Sequence, residues 1–182
     1  SILLATSKGL YCLTEKDSTY SIDSLKRNIL FRGKQDIIFT FFKTNGLLLV
    51  GSLNYLSIYD SNLSLKRRWE FKNVRDFTQI NNVIYFTAYP TGIYKLINVE
   101  NEEKWEIQTT PLKEIGHLLS LSIEKSSDSI IWLGLYGGGA IKFNVNEKTS
   151  EHFSTKNGLP NNTIYSIVSL ENTIWFSTNS GL

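Results

Sequence analysis

Hydrophobic and polar positions along this chain alternate in short runs that turn formers interrupt, and no stretch keeps a helical period. The clearest case is residues 156–182. A Gly-Leu-Pro turn (Gly158, Leu159, Pro160) leads into a β-rich run at 163–170, which Glu171 and Asn172 break. A second run at 173–178 ends at Asn179, Ser180 and Gly181. Ile, Val, Thr, Tyr, Phe and Trp dominate both runs, so the pattern predicts a β-hairpin. Similar runs fall at 2–6, 10–13 and 19–22, then at 37–42, 47–52, 56–61 and 65–71. A third set lies at 74–80, 83–89, 93–99 and 104–110, and a fourth at 117–124, 130–136, 140–145 and 151–155. Asn45-Gly46 supplies the positive φ values that a two-residue hairpin turn requires.

These runs repeat. Residues 174–182 align with 2–10 without a gap, with 48–52 where Asn54 and Tyr55 replace the turn glycine, and with 84–88 after one extra residue. They align again with 131–135 ahead of Gly137, Gly138 and Gly139. The anchor position is then Thr6, Ser52, Ala88, Leu135 and Thr178, about 43 residues apart on average, within the range of four-stranded propeller blades. One such sheet cannot bury both of its faces alone, so repetition is the physical solution. The expected fold is all-β: propeller blades of four antiparallel strands, three complete and two partial. The expected divisions are a partial blade at 1–30, blades at 31–72, 73–112 and 113–156, and a partial blade at 157–182. Residues 2–6 and 174–178 both claim a second-strand position, so an open arc cut from a longer propeller is expected, with apolar faces at its ends that favour self-association.

The run at 157–182, with its Gly-Leu-Pro turn, its strand, short turn, Trp175-x-x-Thr178 and Gly181-Leu182 turn, resembles the two-component regulator propeller repeat. The match is good again at 132–153 and looser at 48–60 and 84–96, where Leu49 and Tyr85 stand in the Trp position. The resemblance implies part of the periplasmic sensor of a hybrid two-component histidine kinase that responds to glycans. It also implies a parent protein anchored in the membrane outside this segment. A non-catalytic module that recognises an oligosaccharide is the leading reading. A scaffold for protein partners comes second, and a propeller lyase or hydrolase third. The enzyme reading would need acids or histidines from several first strands to converge, and Asp36, Asp76 and His117 are the candidates.

Composition narrows this picture. The net charge of +2 with interspersed signs argues against a nucleic-acid or membrane-surface footprint. Lys66, Arg67 and Arg68 form the densest basic cluster and read as a solvated outer edge that discourages strand addition. Cys12 is the single cysteine, so it makes no intrachain disulfide and reads as a small buried hydrophobe. No apolar run is long enough to span a bilayer. No phosphate loop, nucleophile elbow, calcium loop or metal-ligand spacing occurs, so neither cofactor nor metal is expected. His117 and His152 read as ordinary structural residues. Asn62 and Asn161 sit in glycosylation patterns that a bacterial parent would leave unmodified.

Because blade strands alternate in direction, the turns between second and third strands share one face with the connections between blades, and recognition belongs to such loops. On that face the sequence places Ser7, Lys8, Asn54, Tyr55, Tyr89, Tyr136 and Asn179, with Arg32, Lys34 and Lys156 in the connections. The ligand-binding candidates are Lys8, Asn54, Tyr55, Tyr89, Tyr136 and Asn179. A Tyr ring stacks on a pyranose face while amides bond its hydroxyls. The competing reading has Tyr89 and Tyr136 ending strands and packing on neighbouring blades, and Asn54 and Asn179 forming turns. Trp132 and Trp175 share one repeat slot and are expected in the inter-blade core. Trp69 and Trp105 fall on outer strands.

Overall fold

The computed structural model describes residues 2–7, 9–16, 19–24, 30–31, 34–90, 92–110, 112 and 116–182. The chain divides into two compact units, Ser1–Val74 and Arg75–Leu182.

In the first unit, β1 (Ile2–Thr6), β2 (Gly9–Lys16) and β3 (Thr19–Ser24) form a three-stranded antiparallel sheet in sequence order. The basic connection expected at 26–34 contains a short hairpin instead, β4 (Leu30–Phe31) against β5 (Lys34–Gln35). Two-residue strands lie below what periodicity can reveal. A four-stranded sheet follows: β6 (Ile38–Thr44), β7 (Leu47–Ser52), β8 (Tyr55–Tyr59) and β9 (Leu65–Glu70). The same order recurs as β10 (Lys72–Ile80), whose first three residues belong to the first unit, with β11 (Val83–Tyr89), β12 (Ile93–Ile97) and β13 (Glu106–Thr110). It recurs again as β14 (Ser120–Lys125), β15 (Ile130–Leu135), β16 (Gly139–Asn144) and β17 (Thr149–Phe153). The pair β18 (Ile164–Leu170) and β19 (Thr173–Thr178) ends the chain. Single 3-10 turns at Glu102–Lys104 and Thr155–Asn157 replace ends that the pattern assigned to strands. In each, a side chain one residue upstream (Asn101 or Ser154) caps the turn.

Burial explains the composition of each strand. Second strands lie inside the sheet with both faces covered, so β7 and β11 read as nearly continuous apolar runs. Fourth strands β9 and β17 are largely exposed and correspondingly polar. The basic cluster on β9 is more than a solvated edge. Arg68 lies 4.8 Å above the Tyr55 ring, donates from Nε to Ser57 Oγ at 3.0 Å and from Nη2 to the Tyr59 hydroxyl at 3.2 Å. It thereby ties β9 to β8 through its planar fork. Trp105 is buried just before β13, its Nε1 donating to the Val99 carbonyl at 3.1 Å.

The sheets pack through a shared device. Three first strands, β6, β14 and β18, carry a one-residue irregularity near the start, between Ile38 and Thr40, Ser120 and Ser122, and Ile164 and Ser166. In two places a glycine of the second strand faces an aliphatic residue further along the same unit, Gly51 facing Val74 in the first and Gly134 facing Ile164 in the second. A Cβ on Gly51 would meet Val74 Cγ1 at 2.8 Å, and one on Gly134 would meet Ile164 Cγ2 at 2.7 Å. The missing side chain lets the aliphatic residue that opens the next first strand sit against the backbone. Trp132 fills the same interface lower down, with ring centroids 5.2 Å from Phe153 and 5.5 Å from Phe176. Trp175 differs from Trp132 in its surroundings among the described residues. It occupies the Trp132 slot yet is 47% exposed, beside exposed Val168 and Leu170, with no sheet packed on that face of β19 among the described residues.

Gly134→Val should lose about 1–3 kcal/mol by overpacking. Chemical denaturation followed by Trp fluorescence checks it.

Candidate ligand-binding face

The ends of second strands and the starts of first strands lie side by side. Register pairs Leu135 with Ser120 and Thr178 with Ile164. Along this edge of the second unit stand Tyr89 (41% exposed), Tyr136 (58% exposed) and Asn179, the candidates that the sequence assigned there. The two tyrosines project into solvent rather than pack on a neighbouring sheet. Two further apolar groups join them, Leu118 and Tyr165. Tyr165 donates its hydroxyl to Asn179 Oδ1 at 2.9 Å, which orients both side chains at the surface.

Tyr165 was missed because alternation assigns it to a strand face. It is the extra residue between Ile164 and Ser166, and that irregularity turns it outward. No local signal in the residue types marks the bulge.

Tyr136 is held by its backbone. Its N–H donates to the Leu119 carbonyl at 2.9 Å, and the Gly137 N–H donates to Thr163 Oγ1 at 3.1 Å. The Gly139 N–H donates to the Asn162 carbonyl at 2.6 Å, and His152 donates from Nε2 to the Gly138 carbonyl at 2.5 Å. Glycine is required at 139: φ is +81°, and a Cβ would lie 2.0 Å from the Phe153 carbonyl oxygen. The glycine run therefore makes a fixed turn that presents Tyr136. His152 serves that turn.

In the first unit, Asn54 and Tyr55 have structural partners. The Asn54 amide donates from Nδ2 to Asp36 Oδ1 at 2.8 Å, Ser52 donates its hydroxyl to Asp36 Oδ2, and the Ile37 N–H donates to Oδ1 at 3.0 Å. Ser52 Oγ in turn accepts from the Tyr55 N–H at 2.9 Å. One face of the Tyr55 ring is taken by Arg68. Lys8 and Arg32 lie outside the described residues.

The carboxylates of the first strands serve the scaffold. Asp36 is buried under the bonds just given. Asp76 accepts from the Phe77 N–H at 2.9 Å and from the Ile123 N–H at 3.0 Å, so it bridges β10 to β14. Burial pushes its carboxyl up to about 6 against the pull of those two bonds, with a smaller push from the Glu124 charge. Glu124 repeats the device one sheet on. It accepts from the Ser169 N–H at 3.2 Å, and burial raises its carboxyl above the usual range. His117 is exposed in the turn before β14. Among the described residues no group of three or more His, Cys, Asp or Glu converges to hold a metal.

No family model matches the chain. A curated sequence, Histidine kinase P4 of Formosa agariphila, is 36% identical over 64 residues, covering 32% of this chain and 5% of that protein. The crystal structure of the extracellular domain of the hybrid two component system BT4673 from B. thetaiotaomicron is similar over 98% of this chain and 25% of that one, with TM-score 0.75 and 16% identity. The Swd1 beta-propeller domain of Myceliophteria thermophila is similar over 97% of this chain and 66% of that one, with TM-score 0.71 and 10% identity. This chain thus spans about a quarter of the first solved structure and a small part of the curated relative. The resemblance read from the repeat is met in these comparisons, and the fold is that of β-propeller blades.

Gly139→Ala should lose at least about 1 kcal/mol, since it combines a strained φ with a backbone clash. Tyr136→Ser should stay within about 0.5 kcal/mol of the parent, as expected of an exposed side chain away from the core. Paired urea titrations of the two variants check both.

Proposed function

We propose that this chain is a non-catalytic part of the extracytoplasmic sensor of a hybrid two-component histidine kinase. In this reading it faces the periplasm and binds a glycan-derived ligand, and its parent protein passes the event across the membrane to the kinase. The observation that carries the reading is the likeness over nearly the whole chain to the extracellular domain of a hybrid two component system, joined by the short match to a histidine kinase. The residues support it in two ways. Asp36 and Asp76, the acids available for hydrolytic chemistry, are spent on backbone N–H groups and scaffold side chains. The edge of the second unit presents Tyr89, Tyr136 and Tyr165 with solvent-exposed rings and Asn179 with an amide nitrogen beside them. Flat rings with phenolic tips and amides match the alternating apolar faces and hydroxyl rims of sugar rings. Asn54 and Tyr55 belong to the hydrogen-bonded scaffold in this reading.

The test is isothermal calorimetry of the chain against a panel of polysaccharide fragments, with Tyr136→Ala and Tyr165→Phe alongside. One fragment class should bind, Tyr136→Ala should weaken it by roughly tenfold, consistent with loss of one aromatic stacking contact, and Tyr165→Phe by less. A blank panel would count against the glycan ligand. Binding that both variants leave unchanged would remove the site from this edge.

A further inference from the structure

The position just after the repeat anchor is filled differently in the two units. It holds Ser7 and Leu53 in the first, and Tyr89, Tyr136 and Asn179 in the second. The second-unit residues end or follow β11, β15 and β19, the second strands of successive sheets. The backbone holds this position in the same way in both units. The Leu53 N–H donates to the Ile37 carbonyl and the Tyr136 N–H to the Leu119 carbonyl, each at 2.9 Å. Asn179 in turn accepts the hydroxyl of Tyr165. Three successive sheets therefore each raise one exposed phenol ring at the same edge, Tyr89, then Tyr136, then Tyr165.

Contacts along the edge fix the order of these rings. Leu118, itself exposed, lies against the turn after Tyr136, where a Cβ on Gly138 would meet Leu118 Cδ1 at 2.5 Å. On the other side of that turn the Gly137 N–H donates to Thr163 Oγ1 at 3.1 Å, two residues before Tyr165. The sheets below pack face to face, Tyr85 and Ile93 with Ile131 and Leu133 and, one sheet on, Trp132 with Phe176. Packed sheets stand about 10 Å apart, so successive rings are separated by roughly that distance and Tyr89 from Tyr165 by about 20 Å. A single pyranose covers one ring and does not reach the next.

We infer that this edge binds a linear oligosaccharide along its length, each of the three sheets supplying one subsite, and so reads an extended stretch of chain rather than a single sugar. The inference rests on the glycan reading above and adds the length and shape of the ligand. An extended chain presents a flat apolar face at intervals, one for each ring. With its oxygen engaged by Tyr165, the Asn179 amide donates from its nitrogen to a sugar hydroxyl. One stacking contact on an exposed ring is weak. Linking the sugars makes the second and third contacts intramolecular, and the affinity then grows with chain length until the row is covered.

The experiment is isothermal calorimetry of the 182-residue chain against cello-, manno- and laminari-oligosaccharides, each as a ladder from disaccharide to octasaccharide. In the ladder that binds, affinity should rise at least roughly tenfold between disaccharide and hexasaccharide and then level off. Tyr89→Ala and Tyr165→Ala, at opposite ends of the row, should each weaken the hexasaccharide roughly two- to tenfold and leave the disaccharide nearly unchanged. Tyr89→Phe, which keeps the ring, should restore most of the loss. Urea titration checks that the exposed-site variants stay within about 0.5 kcal/mol of the parent fold. Equal affinity along the ladder, or variants that weaken short and long fragments alike, overturns the array and leaves the glycan reading standing. Blank ladders overturn both, and a deca-proline peptide that binds where they are blank assigns the row to an extended peptide instead.

Discussion

The structure depends on one constraint: a sheet of four strands has two faces, and only another sheet can cover them. The chain meets it by leaving out side chains at chosen points. At Gly51 and Gly134 the missing Cβ lets Val74 and Ile164 seat against the backbone of the preceding sheet, and close approach brings the larger groups into contact beneath. Ile131, Leu133, Ile141 and Phe143 fill the core on one side of the fourth sheet, and Trp132 with Phe153 and Phe176 on the other. Dispersion and apolar burial then act over the whole face. Carboxylates add direction to this packing. Asp76 and Glu124 each reach from one first strand to a backbone N–H of the next, and a bond of that kind fixes the register of sheet on sheet where apolar contact alone would let it slide.

Much of this was legible in the sequence because it is periodic. The Asn45-Gly46 turn, the strand at 83–89 and the hairpin at 164–178 follow from residue types whose backbone preferences are strong. The unread parts have physical reasons. Irregularities at Phe39, Leu121 and Tyr165 leave no mark in hydrophobic alternation, yet they decide which side chain turns outward. The hairpin at 30–35 is too short to show a period. Trp175 matches Trp132 as a letter, but burial belongs to the neighbour, and among the described residues no sheet packs on its side of β19.

The candidate site divides along the same line. Tyr89, Tyr136 and Asn179 could be placed on one edge because strand direction alternates, and their exposure agrees with a surface role. Asn54 and Tyr55 share that position in the repeat but have partners, Asp36 and Arg68, that lie 18 and 13 residues away in sequence. Such partnerships are set by pairing across strands and by the connection before β6, and no motif announces them. The glycine run at 137–139 was ambiguous between a turn and a ligand approach. The geometry resolves it as a turn in which the Gly137 and Gly139 N–H groups are taken and whose product is the outward Tyr136.

That neighbouring sheets hold each other through their faces is tested most directly by a double-mutant cycle between Trp132 on β15 and Phe176 on β19. Trp132→Ala, Phe176→Ala and the pair would be compared by equilibrium unfolding in urea. The account predicts a coupling of about 1 kcal/mol, the worth of an aromatic pair beyond its area. Strictly additive losses would mean that the two sheets do not pack through these rings.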